Sequence, residues 1–247
     1  MGTRWDARTY DDSSQPQQEW ASEVLTRLQG LAADATVLDA GCGTGRVTEA
    51  LLALVPRGRV LALDASTDMV DLARQRLGDR VEVWCQDVLD LELDEPVDAI
   101  VSTATLHWVP DHDRLWERLA AALRPGGVLE IQCGGEGNIR GVREVIDAVA
   151  RDIAPELVGW SPWVFAGPHE TDQRLRRAGF TATRCWLEER PTYPLDVGAF
   201  VPTSILAAHL ARLPDERRDP FASAVVANVR VPLDYVRLNA SAIRGGP

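Results

Sequence analysis

Lysine is missing from this chain: all 26 of its Lys and Arg positions are arginine, and 37 acidic residues leave a net charge of −11. That excess of negative charge repels phosphate backbones over long range, which argues against a nucleic-acid substrate or partner. Cysteine is scarce and scattered. Cys42, Cys85, Cys133 and Cys185 form no C-x-x-C pair, and His107, His112, His169 and His209 show no H-E-x-x-H spacing. No metal site is therefore expected, and no disulfide framework in a chain of this size. No apolar run approaches the roughly 18 residues that cross a bilayer, so no membrane partner is expected. The opening Met1-Gly2-Thr3-Arg4-Trp5-Asp6 lacks the charged-then-apolar layout of a secretory signal, and a cytoplasmic location is the expectation.

What is present is ordinary for a globular protein: 247 residues, 45% hydrophobic and 26% charged, enough for one sizeable domain. Residues 1–30 read as a polar arm running into a helix, with Trp20, Val24, Leu25 and Leu28 on one face. From residue 31 to 247, short apolar runs alternate with amphipathic helices, which predicts an α/β fold, a parallel sheet covered by helices on both faces. Strands are expected at residues 36–38, 60–63, 81–84, 97–102, 128–132, 180–188 and 231–240. Ser66 is positioned to cap a helix carrying Met69, Leu72, Ala73 and Leu77. Arg124-Pro125-Gly126-Gly127 reads as a helix breaker, and residues 196–228 as two cap helices separated by a charged turn at 214–220.

In an open parallel sheet, ligands bind outside the carboxyl ends of the strands. The first four strand ends here are residues 39–45, Asp64, Asp87 and residues 103–108, which should open onto one cleft. Gly41, Gly43 and Gly45 permit a tight turn and close approach of a ligand. Asp64 stands 19 residues after Gly45, where a carboxylate can accept both hydroxyls of an adenosine ribose. A dinucleotide site favours G-x-G-x-x-G and an uncharged turn for its pyrophosphate. This turn is G-x-G-x-G with Asp39 at its mouth, which suits a ligand bearing an ammonium and a sulfonium, such as S-adenosylmethionine.

The segment Val37-Leu38-Asp39-Ala40-Gly41-Cys42-Gly43-Thr44-Gly45 resembles the first motif of class I S-adenosylmethionine-dependent methyltransferases. Leu61-Ala62-Leu63-Asp64-Ala65-Ser66 resembles their second, Gln86-Asp87-Val88 their adenine-contacting segment, and Leu123-Arg124-Pro125-Gly126-Gly127 the turn before their fifth strand. The resemblance implies a doubly wound, seven-stranded, mostly parallel Rossmann-like sheet with an antiparallel last strand, an N-terminal helical arm and a helical cap. It implies S-adenosylmethionine as cofactor and S-adenosylhomocysteine as product. Asp39, Gly41 and Gly43 would lie around the methionine moiety, Asp64 on the ribose, and Gln86, Asp87 and Val88 by the adenine, with Cys42, Ala65 and Met69 also at the cofactor. Thr103 and Tyr10 would complete the cofactor site.

The end of the fourth strand speaks to the methyl acceptor. Methyltransferases of base amino groups usually carry an Asn/Asp-Pro-Pro-Tyr-like segment there, whereas this chain has Ser102-Thr103-Ala104-Thr105-Leu106-His107-Trp108-Val109. Together with Tyr10 and Gln17 in the arm, Leu106-His107-Trp108-Val109 resembles the trans-aconitate and juvenile hormone acid methyltransferase group. In the juvenile hormone acid methyltransferases a Gln and a Trp at the places of Gln17 and Trp108 orient an acceptor carboxylate. Such an acid is already ionised at neutral pH and needs no base, so holding it in line with the methyl–sulfur bond suffices. A phenol, amine or activated carbon would instead need a base, for which His107 is the first candidate. A non-catalytic protein that binds S-adenosylmethionine is a third reading. The expected partner is a small molecule, met by a monomer or homodimer. Trp160, Trp163 and Phe165 are candidates to line its pocket, and Arg140, Arg143 and Arg212 to meet a second carboxylate, with none of the three singled out.

Overall fold

The computed structural model describes residues 15–246, with side chains from residue 20 onward. The apolar runs become strands β1 (Thr36–Ala40), β2 (Arg59–Asp64), β3 (Glu82–Cys85), β4 (Val97–Thr103), β5 (Leu123–Gly134), β6 (Phe180–Glu189) and β7 (Val236–Arg244). They form one seven-stranded sheet in the order β3-β2-β1-β4-β5-β7-β6. Pairing is parallel from β3 across to β5, and β7 runs antiparallel to both β5 and β6. The chain winds outward from β1 to β3 and then returns to β4, so the topological switch lies between β1 and β4.

Helices α1 (Gln15–Thr26), α2 (Arg46–Leu54), α3 (Thr67–Leu77), α4 (His112–Ala122), α5 (Arg140–Ile153), α6 (Pro168–Arg177) and α7 (Asp215–Asn228) cover the sheet and build the cap. Because alternate strand residues point to opposite faces, Val37 and Leu38 enter different cores. Val37 packs with Val24, Leu28, Leu51, Val70 and Val101. Leu38 packs with Ile100, Leu106, Leu115, Leu119 and Leu175. A third cluster joins α5 and α7 to Trp20, Phe200, Val201 and Ile205, so the helices between β6 and β7 share a core with the segment after β5. Within it, Val201–Ile205 is a π-helical turn, closed by Leu206 N–H donating to Val201 O at 2.9 Å. Ser66 caps α3 as expected, its Oγ accepting Met69 N–H at 3.4 Å.

Three boundaries differ from those read in the sequence. Arg124-Pro125-Gly126-Gly127 does not precede the fifth strand but forms a bulge inside it. Leu123 pairs with Val97 and Val128 with Ala99, the intervening residues loop out, and Gly126 supplies φ +80°. The charged stretch 214–220 is the start of α7. Pro214 stands at its N-cap, and Asp215 and Glu216 meet the positive end of the helix. Arg218 Nε donates to Leu210 O and Leu213 O, at 2.9 and 3.0 Å, tying that start to the preceding turn. Finally, β7 begins at Val236, not at 231. Leu233 makes only an isolated bridge to Thr192, and Asp234 turns to α5, accepting Ile139 N–H and Gly141 N–H, both at 2.9 Å.

Just beyond α1, Arg27 reaches the buried face of the sheet. Its Nε lies 2.9 Å from Glu130, its Nη1 donates to Asn239 Oδ1 at 3.1 Å, and its guanidinium stacks over Trp186 at 5.1 Å. Among the described residues, no helix is long and apolar enough to cross a membrane, and no cluster of His, Cys, Asp and Glu could hold a metal ion.

Candidate active site

The turn after β1 is closed by Gly41 N–H and Cys42 N–H, both donating to Leu63 O, at 2.8 and 2.9 Å. Its three glycines all have positive φ, but for different ends. At Gly41 a Cβ would stand 2.1 Å from Thr105 Cγ2, so glycine admits the β4 end against the turn. At Gly45 it would meet Leu77 and Ala73, so glycine admits α3. At Gly43 it would meet nothing within 4 Å.

Asp39 is fully buried. Its Oδ2 accepts Thr48 Oγ at 2.7 Å, while Oδ1 has no hydrogen-bond partner among the described residues. Burial pushes its carboxyl up to about 7, the Thr48 bond pulling down and the nearby Asp64 pushing up. Asp64 receives Gly43 N–H and Ser66 N–H, one on each oxygen, both at 2.9 Å. Burial raises its carboxyl as well, against those two bonds. Asp87 is exposed and caps the turn Val88–Asp90 by accepting Leu89 N–H at 2.9 Å. Gln86 is fixed at both ends, its N–H to Asp64 O and its Nε2 to Asp90 O.

Across the switch, β4 ends in Thr103 and a strained Ala104 at φ 55°, followed by the helical turn Leu106–Trp108. His107 is buried there, and its Nδ1 accepts Gly134 N–H at 3.2 Å. Burial first, then the charge of Arg237 and the neighbouring His112, hold this imidazole well below its ordinary range. It is therefore neutral, with its proton on Nε2. His107 and Trp108 open onto a small pocket. Its other walls include Trp163, Phe165, Ser204, Tyr235 and Arg237. Trp163 stacks on Phe165 at 5.5 Å and 11° and meets Trp108 at 5.7 Å.

A family described as a methyltransferase domain matches residues 37–127. The chain is 33% identical to the trans-aconitate 2-methyltransferase of Methylobacterium nodulans over 183 residues, 74% of this chain and 67% of that one. The chain belongs to the class I S-adenosylmethionine-dependent methyltransferases. It is also 30% identical to a malonyl-(acyl-carrier protein) O-methyltransferase of Priestia megaterium, over 54% of this chain and 50% of that one. These stretches span half to two thirds of the relatives' lengths. In three dimensions it is similar to phosphoethanolamine N-methyltransferase 2 of Haemonchus contortus, solved with phosphomonomethylethanolamine and S-adenosylhomocysteine. That likeness has a TM-score of 0.61 at 18% identity, covers 92% of this chain and 53% of that one, and concerns the fold.

The cofactor of this methyltransferase is S-adenosylmethionine, and the residues present fit it. Open space borders the turn at Gly43, and the buried Asp39 Oδ1 is an acceptor that an ammonium would satisfy. Each Asp64 oxygen holds one N–H and has a second lone pair for a ribose hydroxyl. Of the other expected contacts, Cys42, Met69 and Val88 are buried, Thr103 and Gln86 half-buried, and Ala65 exposed. Tyr10 and the side chain of Gln17 lie outside the described residues. Sequence reasoning missed Thr48, one helical turn past the glycines, and the pocket residues Ser204, Tyr235 and Arg237. Arg143 and Arg212, weighed from the sequence, stack on Phe165 and Trp160, at 5.8 and 4.6 Å.

Proposed function

We propose that this methyltransferase converts a small carboxylic acid to its methyl ester, with Asp39, Asp64 and Asp87 holding the cofactor and Gln17 and Trp108 orienting the acceptor. The observation that carries this is the state of His107. Its Nδ1 lone pair is taken by Gly134 N–H, and it is held neutral by burial and by Arg237. A ring in that state donates through Nε2 and has no lone pair left to remove a proton. A phenol or an ammonium must lose a proton before it attacks, whereas a carboxylate arrives ionised. The relatives named for trans-aconitate and malonyl-(acyl-carrier protein) support the same reading.

When bound, S-adenosylmethionine supplies an electrophilic methyl on its sulfonium and leaves as S-adenosylhomocysteine. The protein's part is placement. The Trp108 indole and the Gln17 amide are neutral donors that fix carboxylate oxygens without protonating them, and fixed geometry is worth effective molarities of about 10⁵ M or more. The aromatic walls Trp163 and Phe165 exclude water from the reacting pair.

The test is to offer labelled cofactor with panels of acids, phenols and amines and to treat each product with mild base. A base-labile product supports an ester; a base-stable one overturns the reading and returns phenols, amines and carbon to the front. Trp108→Phe keeps the ring and removes the N–H. It should lower kcat/KM for the acid by about 10- to 100-fold, the worth of a hydrogen bond to a charged group, while cofactor affinity holds. Unchanged turnover would remove Trp108 from the site.

A further inference from the structure

Thr48 is the third residue of α2 and is fully buried. The buried residues of that helix are Thr48 and Leu51, three apart and so on one face. Leu51 packs with Val37 of β1, and Thr48 meets Asp39, the next residue of β1 to point the same way. An apolar side chain would serve packing at either place. A hydroxyl buried there costs free energy unless it is bonded. Threonine in a helix often returns its proton to the carbonyl four residues back. Among the described residues, Thr48 instead makes its hydrogen bond to Asp39 Oδ2, donating at 2.7 Å.

The consequence falls on the other oxygen. An aspartate carboxyl turns easily about its last torsion, and a bond to one oxygen fixes its plane. Asp39 Oδ1 is then held in place, buried and with no hydrogen bond among the described residues. The titratable groups that act on Asp39 are Asp64 at the end of β2 and the Cys42 thiol in the turn, which burial and both carboxyls push up. Its partners in the sheet, Ala62 and Val101, bring no charge. On α2, Arg46 and Glu49 are exposed, and Glu49 pairs with Arg80. Of the described contacts, the Thr48 bond alone favours the carboxylate over the acid.

We propose that Thr48 is a positioning residue for S-adenosylmethionine, holding Asp39 by one oxygen so that the other meets the cofactor's ammonium. This rests on the assignment of Asp39 to the cofactor made above. Thr48 acts only through Asp39, by orienting the carboxylate and by raising the share of it that is ionised at a given pH. Its effect is therefore confined to ligands that carry the ammonium.

The experiment is calorimetric titration from pH 5.5 to 8.5 with two ligands. S-adenosylhomocysteine carries the ammonium; 5′-methylthioadenosine keeps the nucleoside and the sulfur but lacks it. Thr48→Val removes the hydroxyl at nearly constant shape. It should weaken S-adenosylhomocysteine about tenfold at pH 6 and about twofold at pH 8, the acid limb of affinity having moved up by about one pH unit. 5′-Methylthioadenosine should stay within about twofold of wild type throughout. Thr48→Ser keeps the hydroxyl and should leave the limb where it is, and it tests the idea even if Thr48→Val fails to fold. Thermal unfolding confirms that each variant is folded. Equal weakening of both ligands by Thr48→Val overturns the inference, because Thr48 would then support the turn as a whole. So does a limb that stays in place in Thr48→Val, or one that moves in Thr48→Ser. If Asp39→Asn abolishes the wild-type slope while Thr48→Val leaves it unmoved, this inference alone is lost. A wild-type profile that is flat, or unchanged in Asp39→Asn, removes the Asp39 assignment and this inference with it.

Discussion

Cofactor affinity should rise with pH through the neutral range, and Asp39 sets the slope. In the ligand-free protein its carboxyl is raised to about 7, first by burial and then by Asp64, against the Thr48 hydrogen bond. The cofactor's ammonium favours the ionised form, so binding expels the proton. At pH 6 only about one such carboxyl in eleven is ionised, which weakens binding about tenfold relative to the plateau, or about 1.4 kcal/mol. At pH 5 the deficit grows to about 100-fold. Above a pH of about 8 affinity should fall again as the ligand's amine loses its proton. Stability of the ligand-free protein carries the opposite sign. The folded carboxyl binds its proton more tightly than the unfolded one, whose ordinary value is 3.8, so this group's contribution falls as pH rises from there towards 7. The whole loss is about 4 kcal/mol. Calorimetric titration with S-adenosylhomocysteine from pH 5.5 to 8.5 measures the binding limb. Asp39→Asn should bind more weakly at the plateau and lose the slope. A flat wild-type profile, or an equal slope in the variant, would refute the reasoning, because Asp64 would then be the titrating group or none would be.

Two further substitutions separate cofactor from scaffold. Asp64→Ala removes both the proposed ribose acceptor and the bonds to Gly43 and Ser66. It should weaken S-adenosylhomocysteine binding by at least about tenfold, and calorimetry showing undiminished affinity would release Asp64 from the assignment. Gly41→Ala drives a Cβ into Thr105 at φ +85°, and should cost at least about 2 kcal/mol of stability in thermal or urea unfolding. Gly43→Ala, at φ +53° with nothing to strike, should cost nearer 1 kcal/mol and show chiefly as lost cofactor affinity.

The cofactor side was legible because its information is local. Each of β1 to β3 is a short apolar run closed by an acid or a glycine turn: Asp39 is the penultimate residue of β1, Asp64 the last of β2, and Asp87 stands two residues past β3. Across the switch only the aromatics were legible: Trp163 and Phe165 line one pocket with Trp108. Arg237 reaches the site because β7 inserts antiparallel between β5 and β6, setting it opposite Gly134, about a hundred residues away in sequence. No local spacing encodes that register. The same holds for Ser204, whose side chain is aimed by a π turn that apolar periodicity cannot announce. The start of β7 was misplaced because residues 231–235 alternate like a strand, yet Asp234 is occupied in holding the start of α5.

The ion pair between Arg27 and Glu130 bears on how arms of this kind can be exchanged. Glu130 is 5% exposed, and burial already raises its carboxyl against the pull of Ser241 and Arg27. A graft that replaced the arm and omitted Arg27 would leave that carboxyl buried without its cation, a change that typically costs about 3–5 kcal/mol. A new arm must bring its own cation to the same point on β5, or arrive together with a sheet in which position 130 is no longer acidic, so the arm and the sheet are inherited as one piece.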